Sequence, residues 1–261
     1  IIYSHELERA TDELQAANQR LQELDRLKDE FISTVSHELR TPLTAIRSLA
    51  EILHDYPDTP PERQREFSGI IIRETRRLTR LITQVLDFQK LELGRMRWTI
   101  TSVDLKDVVE DAVSATGQLV ADRRIQMQVS LPDTHRTIEG DRDQLIQAMV
   151  NLISNAVKFC DPERGRIDIR VRYDIVGLTV SVRDNGMGIS EADQIQIFDK
   201  FHQVVDPSRG RPSGTGLGLS ITRQIIRHHH GELKVRSTPG KGATFYFSLP
   251  WTGAAELPIS S

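Results

Sequence analysis

Two stretches of the chain carry residue types at spacings that could do chemistry, and the first is Ser36-His37-Glu38-Leu39-Arg40-Thr41-Pro42-Leu43. On a helix, His37 and Thr41 share a face, one turn from each other. Glu38 is adjacent and can reach the imidazole from the side. Pro42 removes a backbone donor and sets its ring against the carbonyl of Glu38, which predicts a bend just after the histidine. A single histidine on a helix is usually solvated or packed. The company of Glu38, Thr41 and the proline points instead to nucleophilic or acid–base work. Imidazoles, with a reference pKa of about 6.5, are largely neutral and nucleophilic near pH 7.

The second stretch is spread over four segments that together suit a nucleotide. Asn151 and Asn155 are spaced to share a helix face, Lys158 follows a turn later, and Leu152, Ile153, Ala156 and Val157 fill the opposite side. A solvated stripe of two amides and a lysine would look the same alone. The chemical reading gives Mg²⁺ an amide oxygen from Asn155 and gives phosphates a cation at Lys158. Next, Asp184, Gly186 and Gly188 follow an apolar strand. The glycines admit a planar base and Asp184 can accept a hydrogen bond from the exocyclic amine of adenine, although Asp-Asn-Gly is also an ordinary turn. Phe198 and Phe201 form the third segment. In the fourth, Gly214, Thr215, Gly216, Leu217 and Gly218 open a helix whose free amides can cradle phosphate. No lysine follows these glycines and the spacing is not Gly-x-Gly-x-x-Gly, so P-loop and Rossmann readings fail. The polar loop 200–214 has little to anchor it and is expected to be mobile and to close over nucleotide. Arg209 and Arg211 within it are candidates for the terminal phosphate, or simply solvated arginines. Three consecutive histidines, His228, His229 and His230, point in directions about 100° apart on a helix and cannot easily share one metal ion.

These residues need two kinds of support. Leu7, Ala10, Leu14, Ala17, Leu21, Leu24, Phe31 and Val35 follow a heptad, with Lys28 on the seam and an irregular register near 24–31. The length of the repeat favours a parallel coiled coil over one amphipathic helix on a neighbouring domain. Helical pattern continues past His37 and breaks at the proline-rich turn 55–61. A second helix then starts at Pro61 or Glu62 and runs to Leu93, with Gly94 as its cap. Such a hairpin leaves an apolar stripe half exposed, so pairing of two hairpins into a four-helix bundle is expected. After Gly94, strands at 98–103, 125–131, 167–173, 177–184, 233–237 and 243–250 mix with helices at 104–121, 141–159 and 216–229, an α/β sandwich pattern.

Bulk properties narrow the class. The chain has 261 residues, 38% hydrophobic and 27% charged, enough for two compact domains. A formal net charge of -3 offers no general basic footprint for nucleic acid or anionic lipid. Cys160 is the single cysteine, which fits a reducing compartment. No apolar run reaches membrane-spanning length, and no signal peptide is evident. Starting at Ile1 within a helical pattern, the chain reads as a piece with its upstream part cut away.

The run from Ser36 to Leu43 resembles the phosphoacceptor box of sensor histidine kinases. The ordered set Asn-x-x-x-Asn-Ala-x-Lys, Asp-x-Gly-x-Gly, Phe-x-x-Phe and Gly-x-Gly-x-Gly resembles the N, G1, F and G2 boxes of the Bergerat ATPase fold, parts of which gyrase, Hsp90 and MutL proteins share. The likeness covers residues 25–250. It implies that His37 is the nucleophile taking the γ-phosphoryl group of ATP, that Glu38 accepts the other ring proton, and that Thr41 positions water for dephosphorylating a partner. It further implies Mg²⁺ at Asn155, a response regulator receiver domain as partner, a homodimer through the bundle, and an upstream sensor domain missing from this chain. The expected fold is α+β: a coiled-coil helix over 1–24, a dimeric four-helix-bundle phosphoacceptor domain over 25–94, a Bergerat α/β sandwich over 95–250, and a disordered tail over 251–261. A cytoplasmic location is expected for this portion, with membrane anchoring of a longer protein left open. Relatives commonly have arginine where Gln203 stands, so an arginine role there does not transfer. An ATP-driven clamp would leave the histidine box unexplained, and a non-catalytic module would not need every box intact.

Overall fold

The computed structural model describes residues 2–204 and 215–251. It forms two compact units, one built on the long N-terminal helix and most of the second helix, the other from Val85 onward.

In the first unit, α1 (Ile2–Asp55) is a single helix that runs through Pro42 without interruption, and α2 (Pro61–Glu92) follows a short turn. Proline at the first position of α2 suits a helix start, because its missing N–H would have had no partner there. The end of α2 is closed by Gly94 at φ 62°: Gly94 N donates to Leu91 O and Arg95 N to Lys90 O. Only a residue tolerant of left-handed backbone makes that cap without strain. Of the heptad residues on α1, Leu14 and Leu21 are 72% and 65% exposed in the single chain. The side chains of Leu7, Ala10, Leu24 and Phe31 lie outside the described residues.

The second unit is a sheet with helices on one face. Its five strands are β2 (Gln126–Ser130), β4 (Arg166–Tyr173), β5 (Gly177–Asp184), β6 (Glu232–Ser237) and β7 (Ala243–Pro250), in the order β2-β4-β5-β7-β6. β2 and β4 are parallel and the other pairs antiparallel. Period-two alternation sends Ile167, Ile169, Val171, Val180, Val182, Phe245 and Phe247 inward and leaves Arg166, Arg170, Arg172 and Arg183 outside. The buried side packs against α3 (Leu105–Asp122), α4 (Arg142–Phe159) and α6 (Gly218–His228), whose buried stripes include Val108, Leu145, Met149, Ile153, Ile221 and Ile225. Aspartates cap two of these helices: Asp104 accepts from Lys106 N and Asp141 from Gln144 N. Two elements differ from the sequence reading. β3 (Thr137–Gly140) pairs antiparallel with β1 (Thr101–Asp104), and α5 (Glu191–Gln196) is a single short helix. β3 has one apolar residue, Ile138, and α5 buries nothing, so neither leaves a periodic signal.

His229 braces this unit. Buried at the end of α6, it donates from Nδ1 to Ile225 O at 2.7 Å and accepts at Nε2 from the Asp141 backbone N–H at 2.8 Å. Burial pushes its pKa down. The unfolded chain therefore binds a proton near pH 6.5 that the folded chain resists, and stability falls as pH drops below that point. Urea unfolding at pH 7.5 and 5.5 checks this: lower stability is expected at 5.5, with a smaller drop in His229→Gln. Asp141→Ala should cost roughly 1–3 kcal/mol at either pH, because it loses a helix cap and a second backbone bond.

Candidate functional site

His37 is exposed on α1. Thr41, also exposed, donates its hydroxyl to the His37 carbonyl at 3.2 Å, and the ring of Pro42 is buried. Glu38 is half-buried, and its carboxylate is engaged across the hairpin. Its Oε2 accepts from Arg77 Nη2 on α2 at 3.0 Å, and Arg77 also lies 3.7 Å from Glu74. The two helices of the hairpin are thereby clipped together one residue from the histidine. Nothing in the local run around His37 points to Arg77; only the facing stripe of α2 could have singled it out.

In the second unit α4 presents Asn151, Asn155 and Lys158 half-buried, while Leu152, Ile153, Ala156 and Val157 are buried behind them. Asn151 Nδ2 donates to Gly218 O at 3.4 Å, joining α4 to the first turn of α6. The amide of Asn155 has no hydrogen-bond partner among the described residues, so its oxygen is available to a ligand. Lys158 Nζ sits 4.6 Å from the centre of the Phe159 ring. α6 begins at Gly218 with no side chain capping its amides. Its opening turn is a donor set suited to an anion.

Asp184 ends β5 and is 5% exposed. Oδ1 accepts from Gly186 N at 2.8 Å and from Ala243 N at 3.3 Å, leaving Oδ2 to accept from something else. Burial raises its pKa, and the two backbone donors and the Arg183 charge offset part of that. Beyond it, Gly188 holds φ 72°, with its α-carbon so near Thr238 O that a Cβ would overlap it. Gly240 N donates to Met187 O at 2.6 Å, pinning the same turn from the other side.

Phe198 meets Phe245 edge-on at 6.4 Å and lies under the Arg223 guanidinium at 5.5 Å. Phe201 adopts φ 68°, unusual for a bulky residue, and its N–H donates to Gly216 O at 3.2 Å. Gly216, at φ 70°, presses on the Phe201 backbone where a Cβ could not fit. Phe201 also packs edge-on against Phe88 at 5.5 Å, and Lys200 pairs with Glu92 at 2.7 Å. Phe198 thus packs on β7, and Phe201 holds a strained turn against Gly216. Thr215 and Leu217 are buried. Arg209, Arg211, Gly214 and most of the loop expected to close over nucleotide lie outside the described residues.

The histidine tract has packing roles. His228 stacks flat on Trp98 at 3.7 Å, His229 braces Asp141, and His230 takes φ 58°, where glycine is usual. Among the described residues no group of three acidic, histidine or cysteine side chains could hold a metal ion. No described helix is long and apolar enough to cross a membrane.

Comparison with known proteins matches residues 27–94 to the His Kinase A (phospho-acceptor) domain. Residues 140–253 match the histidine kinase-, DNA gyrase B- and HSP90-like ATPase. The non-motile and phage-resistance protein of Caulobacter vibrioides is 37% identical over 232 residues, covering 87% of this chain and 27% of that protein. Sensor histidine kinase GacS of Pseudomonas protegens is 35% identical over 244 residues, covering 91% of this chain and 26% of GacS. The chain therefore spans about a quarter of the length of these relatives, 27% and 26%. Among solved structures, histidine kinase ThkA in complex with the response regulator protein TrrA aligns with a TM-score of 0.61 at 25% identity, covering 87% of this chain and 63% of that one. Acinetobacter baumannii histidine kinase AdeS has the same fold, with a TM-score of 0.62 at 22% identity over 83% of this chain and 98% of its own.

Asp184→Asn keeps the oxygen that accepts from Gly186 and Ala243 but replaces the free acceptor with a donor. Its melting temperature should stay within a few degrees of the parent, while affinity for an adenine nucleotide falls about tenfold or more by fluorescence titration. In the parent chain the same affinity should weaken on acidification at a pH above the ordinary carboxylate range, because the raised pKa protonates Asp184 early.

Proposed function

We propose, from the premise that the chain belongs to the sensor histidine kinases of two-component systems, that it uses ATP to phosphorylate His37 and passes the phosphoryl group to an aspartate of a response regulator. The observation that carries this reading is the pairing, in one chain, of an exposed imidazole within a phospho-acceptor domain and a separate ATPase-type unit.

Asp184 accepts from the adenine amine, and the uncapped opening turn of α6 and Lys158 hold phosphate oxygens. Asn155, with its unpaired amide, is the residue that would hold Mg²⁺, which supplies charge neutralisation on the phosphates when bound. One imidazole nitrogen of His37 attacks the γ-phosphorus in line. The bond from phosphorus to the β–γ bridging oxygen breaks as the N–P bond forms, and the proton on the second ring nitrogen leaves to a base. Glu38 is the nearest carboxylate in sequence, and serving as that base requires it to leave Arg77. The receiver aspartate then takes the phosphoryl group from nitrogen. A response regulator as partner is supported by the similar kinase solved with one. Exposed Leu14 and Leu21 along the heptad support a homodimer through the helices. A cytoplasmic location and the domain limits 1–24, 25–94 and 95–250 belong to the same reading.

Incubation with γ-labelled ATP should give an acid-labile, alkali-stable label that His37→Gln abolishes; label persisting in that variant overturns the assignment. Asn155→Ala should lose labelling while melting like the parent, and unchanged Mg-ATP affinity would remove it as the metal ligand. Thr41→Ala should leave labelling within about threefold yet slow dephosphorylation of a phosphorylated regulator by roughly tenfold or more.

A further inference from the structure

On the sheet face away from the helices lies a groove of about 600 Å³ that shares one residue, Asp184, with the nucleotide-site candidates. Four arginines line it: Arg124 after α3, Arg164 in the loop between α4 and β4, Arg166 on β4 and Arg183 on β5. None of their guanidinium groups makes a hydrogen bond or ion pair among the described residues, although Arg183 acts on Asp184 through its charge and Glu163 and Asp168 line the same groove. Guanidinium groups are planar forks that normally take up nearby carboxylates. Four arginines against three carboxylates leave this concavity with a positive excess, in a chain whose net charge is -3.

The backbone fixes two of these arginines and strains a third. Arg124 holds φ 53° at the end of α3, where its N–H donates to Ala121 O and Ile125 N donates to Val120 O. That is the helix-ending position glycine usually fills, so a long side chain stands there at a conformational cost. Asn185 fastens the opposite wall: its Oδ1 accepts from Arg166 N at 2.9 Å and its Nδ2 donates to Arg164 O at 2.7 Å. Both arginines are thus held at the rim by one side chain. The volume exceeds what one phosphate needs and matches that of small-molecule sites.

We propose that this groove is a second binding site, distinct from the nucleotide site, for a small molecule or headgroup bearing more than one phosphate. The probe for the free form is inorganic triphosphate, titrated calorimetrically into the whole chain with its nucleotide site saturated by Mg²⁺ and adenylyl imidodiphosphate. Cosedimentation with phosphatidylcholine vesicles containing cardiolipin tests the lipid-borne form. One saturable site is expected for at least one probe, weakened about tenfold or more by Arg166→Gln with Arg183→Gln. Arg164→Gln, on an exposed loop, should weaken it in the same direction and guards against misfolding of the double variant. Arg170→Gln with Arg172→Gln removes equal charge from the same face outside the groove, and should change affinity by no more than about twofold. Binding of triphosphate assigns the groove to soluble ligands, and binding of vesicles alone assigns it to headgroups. No uptake of either probe, or equal loss in the two double variants, overturns the proposal.

Discussion

Asp141 is buried, and each of its polar groups on the α4 side is taken. Its N–H donates to His229 Nε2 at 2.8 Å, Oδ1 accepts from Gln144 N at 3.1 Å and Oδ2 from Thr99 N at 2.7 Å. These bonds tie the start of α4 to the segment before β1 and to the end of α6. At the other end of α6, Asn151 reaches Gly218 O. α4 and α6 are therefore fastened to each other at two places, and the second joins two of the nucleotide-site candidates, Asn151 and Gly218. In a low-dielectric interior a fully satisfied polar network of this kind is stiff, because every alternative arrangement strands a donor or an acceptor. The amide row on α4 and the open first turn of α6 keep their spacing for that reason.

Much of this was legible in the sequence because it is periodic. The strands β4, β5 and β7 alternate cleanly, the stripes on α3, α4 and α6 repeat at helical spacing, and Gly94 stops α2 where an αL residue is needed. What stayed hidden depends on contacts between distant residues. His229 looked like one of three equivalent histidines, and only the fold shows it bonded to Asp141, which is 88 positions away. β3 exists because β1 lies opposite it, and its own four residues carry too little pattern to announce it. Phe198 and Phe201 were readable as a motif, but the packing of Phe198 on Phe245 and of Phe201 on Phe88 and Gly216 comes from residues distant in sequence.

The histidine helix shows the same division. Proximity in sequence placed Glu38 beside His37, and the fold adds a partner that the local run does not show, Arg77 on α2. An ion pair half-shielded from water holds a carboxylate more firmly than an exposed one, so Glu38 is restrained in the structure. The surroundings of His37 are consequently tied to how the two helices of the hairpin lie against each other.

α1 spans 54 residues without a break, a rod of about 81 Å at 1.5 Å per residue. Down to the proline, the ladder of backbone bonds makes such a rod a drive shaft, stiff in torsion over its upper length. The proline at position 42 lacks the N–H that would complete one rung, so torsional compliance is concentrated just past His37. Torque entering at the N-terminal end turns the histidine together with everything above it, while the section beyond the missing rung can lag. His37 sits on the driven side of that coupling.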